Sequence, residues 1–200
     1  MIDTVIFDLG GVLVDFHPTE GMRNMGFSEE AIKVFKEKIF SGLWEECDRY
    51  PYEDEEIRRL FKKTVPGYEK EVDMMWDNLH PISCTFPYSV DWLKSLKEKG
   101  LKVYVLSNFG KRAFEINSEI YPFLEYIDGK VVSYELECVK PEPEIYEALI
   151  KKYAVTPENA VFIDDREINI QGAIACGLKG IVFESFEQAN GELESMLQQA

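Results

Sequence analysis

Apolar residues along the chain fall into five short runs, at 4–7, 103–106, 130–132, 161–163 and 181–183. Each is rich in β-branched or aromatic residues and is followed by polar or turn residues. Runs that do not alternate with polar positions predict strands buried on both faces, as in a parallel sheet. Between them the pattern changes to a helical repeat. Residues 87–99 place Val90, Leu93 and Leu96 on one side and stop at Gly100, a residue suited to a helix C-terminus. Residues 143–153 carry Ile145, Leu149 and Ile150 on one face, and 168–176 stop at Gly177. Strands alternating with helices of this length predict an α/β fold, a doubly wound parallel sheet of Rossmann-like type.

One block breaks the alternation. From Pro18 to Leu79 no strand-like run occurs. Ser28 followed by Glu29 and Glu30 opens a helix running towards Phe40, and 53–63 and 69–79 carry helical patterns of their own. The expected organisation is an α/β core over 1–16 and 83–200, with a helical cap inserted at 17–82. Phe35, Phe40, Leu43, Leu60 and Phe61 are expected to form the cap's own core.

Charge narrows the function. The 200 residues hold 22 Lys and Arg against 37 Asp and Glu, a net charge of −15. Such an envelope repels phosphate backbones and anionic lipid heads, so nucleic acid and membrane surfaces are not expected partners. An enzyme acting on anions would need a local positive site inside this field. Cys47, Cys84, Cys138 and Cys176 form no C-x-x-C pair and have no histidine at zinc-ligand spacing. They read as inert thiols of a reducing compartment. The N-terminus lacks a basic segment, and Asp3 and Asp8 interrupt its apolar run, so a cytoplasmic protein without a signal peptide is expected.

Ligands of open parallel sheets bind beyond the carboxyl ends of the strands. The first strand is followed by Asp8-Leu9-Gly10-Gly11, the second by Ser107-Asn108 and the fourth by Asp164-Asp165. Lys140-Pro141 follows the third strand and is expected to begin a helix, with Pro141 near its first turn. Each feature alone has a structural reading: a turn former, a helix cap, a solvated lysine. Their placement at successive strand ends gives them a common site.

With these motifs the chain resembles the haloacid dehalogenase-like hydrolase superfamily, over nearly its whole length. Val5-Ile6-Phe7-Asp8-Leu9-Gly10-Gly11-Val12-Leu13 is similar to the first motif, which carries a nucleophilic Asp. Val105-Leu106-Ser107-Asn108 resembles the second, a phosphate-binding Ser, and Lys140-Pro141-Glu142-Pro143 the third, a lysine. Phe162-Ile163-Asp164-Asp165-Arg166-Glu167-Ile168-Asn169 resembles the fourth, an acidic magnesium site. The helical insertion is similar to the family's type-one cap, and the nearest flavour is that of small bacterial sugar-phosphate phosphatases.

The resemblance implies a magnesium-dependent phosphohydrolase of small phosphorylated metabolites that works through an aspartyl-phosphate on Asp8, with sugar 1-phosphates as one substrate class. It implies direct Mg²⁺ ligation by Asp8, the Gly10 carbonyl and Asp165, with Asp164 acting through water. Ser107, the Asn108 backbone N–H, the Gly10-Gly11 loop and Lys140 would hold the phosphate. In the cap, Trp44, Glu45, Asp48 and Arg49 lie near Gly42, and Trp44 and Arg49 are candidates to grip a polyol. Asn169 either braces the site or faces the core. There is one departure: phosphatases of the superfamily usually carry a second Asp two residues after the nucleophile, and here that residue is Gly10. Asp15 and His17 could supply the missing proton. Without one, the chain could be a non-catalytic phosphate-binding module; a metal-free dehalogenase is disfavoured by the Asp164-Asp165 pair.

Overall fold

A computed structural model describes residues 1–198. Seven strands form: β1 (Thr4–Phe7), β2 (Val14–Phe16), β3 (Ser83–Thr85), β4 (Lys102–Ser107), β5 (Gly129–Val132), β6 (Ala160–Asp164) and β7 (Lys179–Val182). Five of them make one sheet in the order β5-β4-β1-β6-β7, and every pairing is parallel. The five apolar runs are these five strands. β1 lies at the centre, with Thr4 paired to Lys102 on one side and to Ala160 on the other.

Both faces of the sheet are covered, which explains the absence of alternation. Val5 and Phe7 of β1 join one apolar cluster with Trp92, Leu93, Leu96, Ala189 and Leu193. Ile6, on the opposite face, joins another with Ile145, Tyr146, Leu149, Ile170 and Ala173. The chain runs from β1 out to β4 and β5, then returns to the far side of β1 for β6 and β7. The carboxyl ends of β1, β4 and β6 therefore meet at one rim, over the point where the winding reverses.

The helices before β3 are α1 (Pro18–Asn24), α2 (Glu29–Phe35), α3 (Trp44–Arg49), α4 (Asp54–Thr64) and α5 (Glu69–Asp77). Those after it are α6 (Ser89–Glu98), α7 (Lys111–Asn117), α8 (Pro143–Tyr153), α9 (Glu167–Ala175) and α10 (Phe186–Gln198). Ser28 caps α2 through its side chain, which accepts from the Ala31 N–H at 3.1 Å. The expected helix towards Phe40 ends as an α-helix at Phe35 and continues as a π-helical stretch over Lys36–Leu43, with Ser41 out of helical conformation. Gly100 and Gly177 take φ of +80° and +87° just after α6 and α9, the left-handed conformation that ends a helix without penalty in glycine.

Two features depart from the sequence reading. β2 and β3 pair antiparallel, Asp15 opposite Cys84, and form a short ribbon across the two connections between the helical insertion and the sheet. The helix after Lys140 starts at Pro143, not at Pro141. Glu142 precedes Pro143, and a residue before proline is driven to extended backbone; Glu142 has φ −63° and ψ 135° and stands outside the helix.

Helices α1–α5 enclose a third apolar cluster around Phe35, Ile39, Phe61, Val72, Met75 and Trp76. Ala113 of α7 belongs to the same cluster, so the insertion packs onto the sheet domain through α7. Phe35 and Phe61 are buried there as expected; Phe40, Leu43 and Leu60 are only partly buried. No described helix is long and apolar enough to cross a membrane.

Candidate active site

Asp8 is the first residue past β1, and its carboxylate is held from three sides. The Leu9 N–H donates to its Oδ1 at 2.7 Å, the Ser107 hydroxyl at 2.8 Å and the Lys140 ammonium at 2.8 Å. Oδ1 is thus anchored by the ends of β1 and β4 and by the loop before α8.

Lys140 is the hub of the site. Its Nζ also donates to Asp164 Oδ2 at 2.7 Å, and both Lys140 and Asp164 are buried. Asp164 in turn accepts from both sides: Asn169 Nδ2 lies 2.9 and 3.0 Å from its two oxygens, and the Arg166 N–H lies 2.8 Å from Oδ1. Asn169 therefore braces the site. Asn108 fixes the Lys140 backbone: its Oδ1 accepts from the Lys140 N–H at 2.8 Å, and its Nδ2 donates to the Lys140 carbonyl at 3.1 Å.

The charges explain one another. Burial pushes the Asp8 carboxyl up to about 6; Lys140 opposes this and Asp164 adds to it. Burial pulls the Lys140 ammonium down, but Asp8 and Asp164 together outweigh it and hold the group above its ordinary value. Burial and the neighbouring Asp164 also raise Asp165.

Asp8, Asp164 and Asp165 present carboxylate oxygens within 4.8 Å of one another. A single ammonium lies between the first two and offsets only one of the three charges, so excess negative charge remains that a hard cation would neutralise. The backbone accommodates this crowding at Gly11. Its φ is +74°, and a Cβ there would lie 2.5 Å from Asp165 Oδ2. The donor set and the glycine cradle fit Mg²⁺.

Above the rim lies a cavity of about 630 Å³. Asp8, Gly10, Gly11, Asn108, Lys140 and Asp165 line its floor, and Trp44 lines it from the insertion. Ser107 is buried behind Asp8, and Asp164 behind Lys140. Arg49 is elsewhere: its guanidinium forks onto Glu142, with Nη1 3.0 Å from Oε2 and Nη2 against Oε1. Asp15 lines the cavity, while His17 stands beside it, its Nδ1 3.3 Å from Asp15 Oδ2. Asp15, His17 and Cys84 form a second group of ligand-type atoms within 4.8 Å on the ribbon. Cys84 is exposed, unlike the buried Cys47.

Sequence reasoning missed Phe16, Phe40, Asn117 and Arg166, all of which line the cavity. Phe16, Phe40 and Trp44 form an aromatic group with ring centroids 4.9 to 6.1 Å apart. Phe16 carried a weak signal as the end of a three-residue apolar-polar-apolar alternation. Asn117 and Arg166 carried none.

The chain matches the family model for haloacid dehalogenase-like hydrolases over residues 2–177. It is 27% identical over 213 residues to a D-ribitol-5-phosphate phosphatase of Bacteroides thetaiotaomicron, covering 96% of this chain and 94% of the relative. It is 23% identical to a phosphorylated carbohydrates phosphatase of Thermotoga maritima, covering 97% and 91%. Among solved structures, a magnesium complex of a HAD family enzyme from Bacteroides thetaiotaomicron superposes with a TM-score of 0.73 at 25% identity, covering 92% of this chain and 94% of the other.

Proposed function

The chain belongs to the haloacid dehalogenase-like hydrolase family and is a phosphatase of that family, and we propose that it hydrolyses small phosphorylated metabolites with Asp8 as a covalent nucleophile and Mg²⁺ as cofactor. The observation that carries this reading is the hold on Asp8: the Leu9 N–H and the Ser107 hydroxyl donate to its Oδ1, and the Lys140 ammonium lies 2.8 Å from the same oxygen. A carboxylate fixed in this way can be aimed at phosphorus. Lys140 keeps Asp8 charged inside a buried site and adds positive charge where the phosphate arrives. Asn108 and Asp164 keep Lys140 in place. The Gly10-Gly11 loop lets backbone approach the same anion.

Asp8, the Gly10 carbonyl and Asp165 would hold the metal. When bound, Mg²⁺ supplies charge that offsets the incoming phosphate within an acidic site. Asp164, committed to Lys140, Asn169 and the Arg166 N–H, has the role of a positioning residue.

The rest of the cavity supports a substrate with hydroxyls and a carbon face. Phe16, Phe40 and Trp44 offer flat apolar surfaces, and Asp15 and Glu45 offer acceptors beside them. A phosphorylated sugar or polyol fits this chemistry, and the names of the Bacteroides and Thermotoga relatives agree with it. Sugar 1-phosphates are the subset whose leaving groups need least protonation.

The test is phosphate release from a panel of sugar and polyol phosphates with Mg²⁺ and with chelator. Turnover should require the metal, and Asp8→Asn, which keeps the shape and removes the charge, should fall to background while circular dichroism stays native. Substantial turnover by a folded Asp8→Asn protein would overturn the covalent mechanism.

A further inference from the structure

Displacement at phosphorus runs in line, so the leaving oxygen lies opposite Asp8, towards the helical insertion. That oxygen needs a proton as it departs, and the water that later attacks the phosphoenzyme must lose one. Position 10 is glycine, so the loop after β1 serves neither need. Besides Asp8, the cavity is lined by four acids: Asp15, Glu45, Asp48 and Asp165. Asp165 belongs to the metal cluster. Glu45 is exposed, and the Asp15 side chain is 48% exposed and faces His17.

Asp48 differs from these. It sits in the last turn of α3, half-buried, and that turn is tied to the sheet domain by three contacts. The Asp48 carbonyl accepts from the Ser133 hydroxyl. The next residue, Arg49, forks onto Glu142. The preceding residue, Cys47, packs so close to Gly110 that a Cβ on the glycine would meet the Cys47 carbonyl at 3.2 Å. These contacts fix the backbone that carries the Asp48 carboxyl, which lines the same cavity as Asp8, so little ordering is needed for it to act there.

We propose that Asp48 is the general acid and base of this enzyme, protonating the leaving oxygen and then deprotonating the hydrolytic water. The inference rests on the aspartyl-phosphate reading above. In the first step the phosphorus–oxygen bond to the alcohol breaks as Asp8 bonds to phosphorus, and the Asp48 carboxyl proton passes to the alcohol oxygen. In the second step a water oxygen bonds to phosphorus, the Asp8–phosphorus link breaks, and the water's proton goes to the Asp48 carboxylate. One water is consumed, and both aspartates return to their starting forms.

The surroundings suit both roles. Burial pushes the Asp48 carboxyl up to about 7, and Glu45 of the same helix and Asp8 of the β1 loop add to this. The Gly110 amide at the start of α7 and Lys140 act the other way and favour the charged form. A carboxyl balanced there carries a proton near neutrality and can give it up.

The test is Asp48→Asn, assayed on aryl phosphates of graded leaving-group pKa and on one alkyl phosphate. The loss in kcat/KM should grow with leaving-group pKa, from under ~10-fold for the best aryl group to ~10²–10⁴-fold for the alkyl phosphate. The fall of wild-type kcat/KM on the basic side of neutrality, where the donor is lost, should disappear. Phosphoenzyme should build up in a burst equal to the enzyme concentration, because its hydrolysis lacks a base. A loss uniform across leaving groups, or no loss, overturns the assignment of Asp48. If the amide unsettles α3, the wild-type slope decides: a shallow dependence on leaving-group pKa requires a donor in place, and a steep one overturns the proposal. Failure of the wild type to turn over any aryl phosphate would instead overturn the aspartyl-phosphate reading beneath it.

Discussion

Asp164 and Asp165 are neighbours in sequence and opposites in environment. Asp164 is wholly buried and accepts from Lys140, Asn169 and the Arg166 N–H. Asp165 is the exposed member of the pair and lies against Gly11. Removing Asp164 leaves Lys140 with Asp8 as its only ion-pair partner among the described residues. Breaking a buried ion pair of this kind costs about 3–5 kcal/mol. Asp164→Ala should therefore lose stability of that order in denaturant unfolding. Asp165→Ala should unfold close to wild type and show its defect in calorimetric titration with Mg²⁺. Equal stability of the two variants would mean that the Lys140 network does not depend on Asp164. From sequence the paired acids were expected to form a cation site, with Asp165 in direct contact and Asp164 acting through water. The tie of Asp164 to Lys140 and Asn169 was not legible, because Lys140 lies 24 residues away in the chain.

Elements were legible where a local rule decides them. Continuous β-branched runs gave the five parallel strands, and Gly100, Gly177 and Ser28 marked helix ends by their own backbone or side-chain chemistry. The β2–β3 ribbon was not legible, because three residues are too short to establish a period and their pairing joins Asp15 to Cys84 across the whole insertion. The same limit applies to Arg49. Its type suggested a ligand contact, yet its partner Glu142 lies 93 residues on. If Arg49 acts as a tie between α3 and the loop before α8, Arg49→Ala and Glu142→Ala should not be additive. A double-mutant cycle in unfolding should give a coupling of at most about 1 kcal/mol, as both side chains are about a third exposed. In kinetics each single variant should shift KM and kcat alike, through the placement of Asp48, and the double variant should add little more. A contact between Arg49 and substrate would instead make the Arg49→Ala defect independent of Glu142.

At the scale of the whole molecule the chain carries a charge of −15 and concentrates part of it in its own cavity. Asp8, Asp15, Glu45, Asp48 and Asp165 line that space against Lys140 and Arg166. With Asp48 carrying a proton near neutrality, the four other carboxylates still face two cations and repel one another, and folding brings them together, so the folded state is held back by its own site. A cation that binds only the assembled site removes part of this repulsion and stabilises the fold by mass action. At a Mg²⁺ concentration 100 times its Kd, the gain is about 2.7 kcal/mol. For a domain of this size each kcal/mol moves Tm by roughly 2–4 °C, so the expected rise is roughly 5–11 °C. The rise should reverse with chelator and vanish in Asp165→Ala. Screening by ordinary salt is the competing cause, because it also relieves repulsion in an acidic protein. The two separate by stoichiometry and by site: salt acts at hundreds of millimolar and equally on wild type and Asp165→Ala, whereas Mg²⁺ at the site saturates and requires the carboxylate at position 165. A magnesium shift that survives Asp165→Ala would place the cation's effect on the acidic surface and remove this support for a metal at the strand-end site.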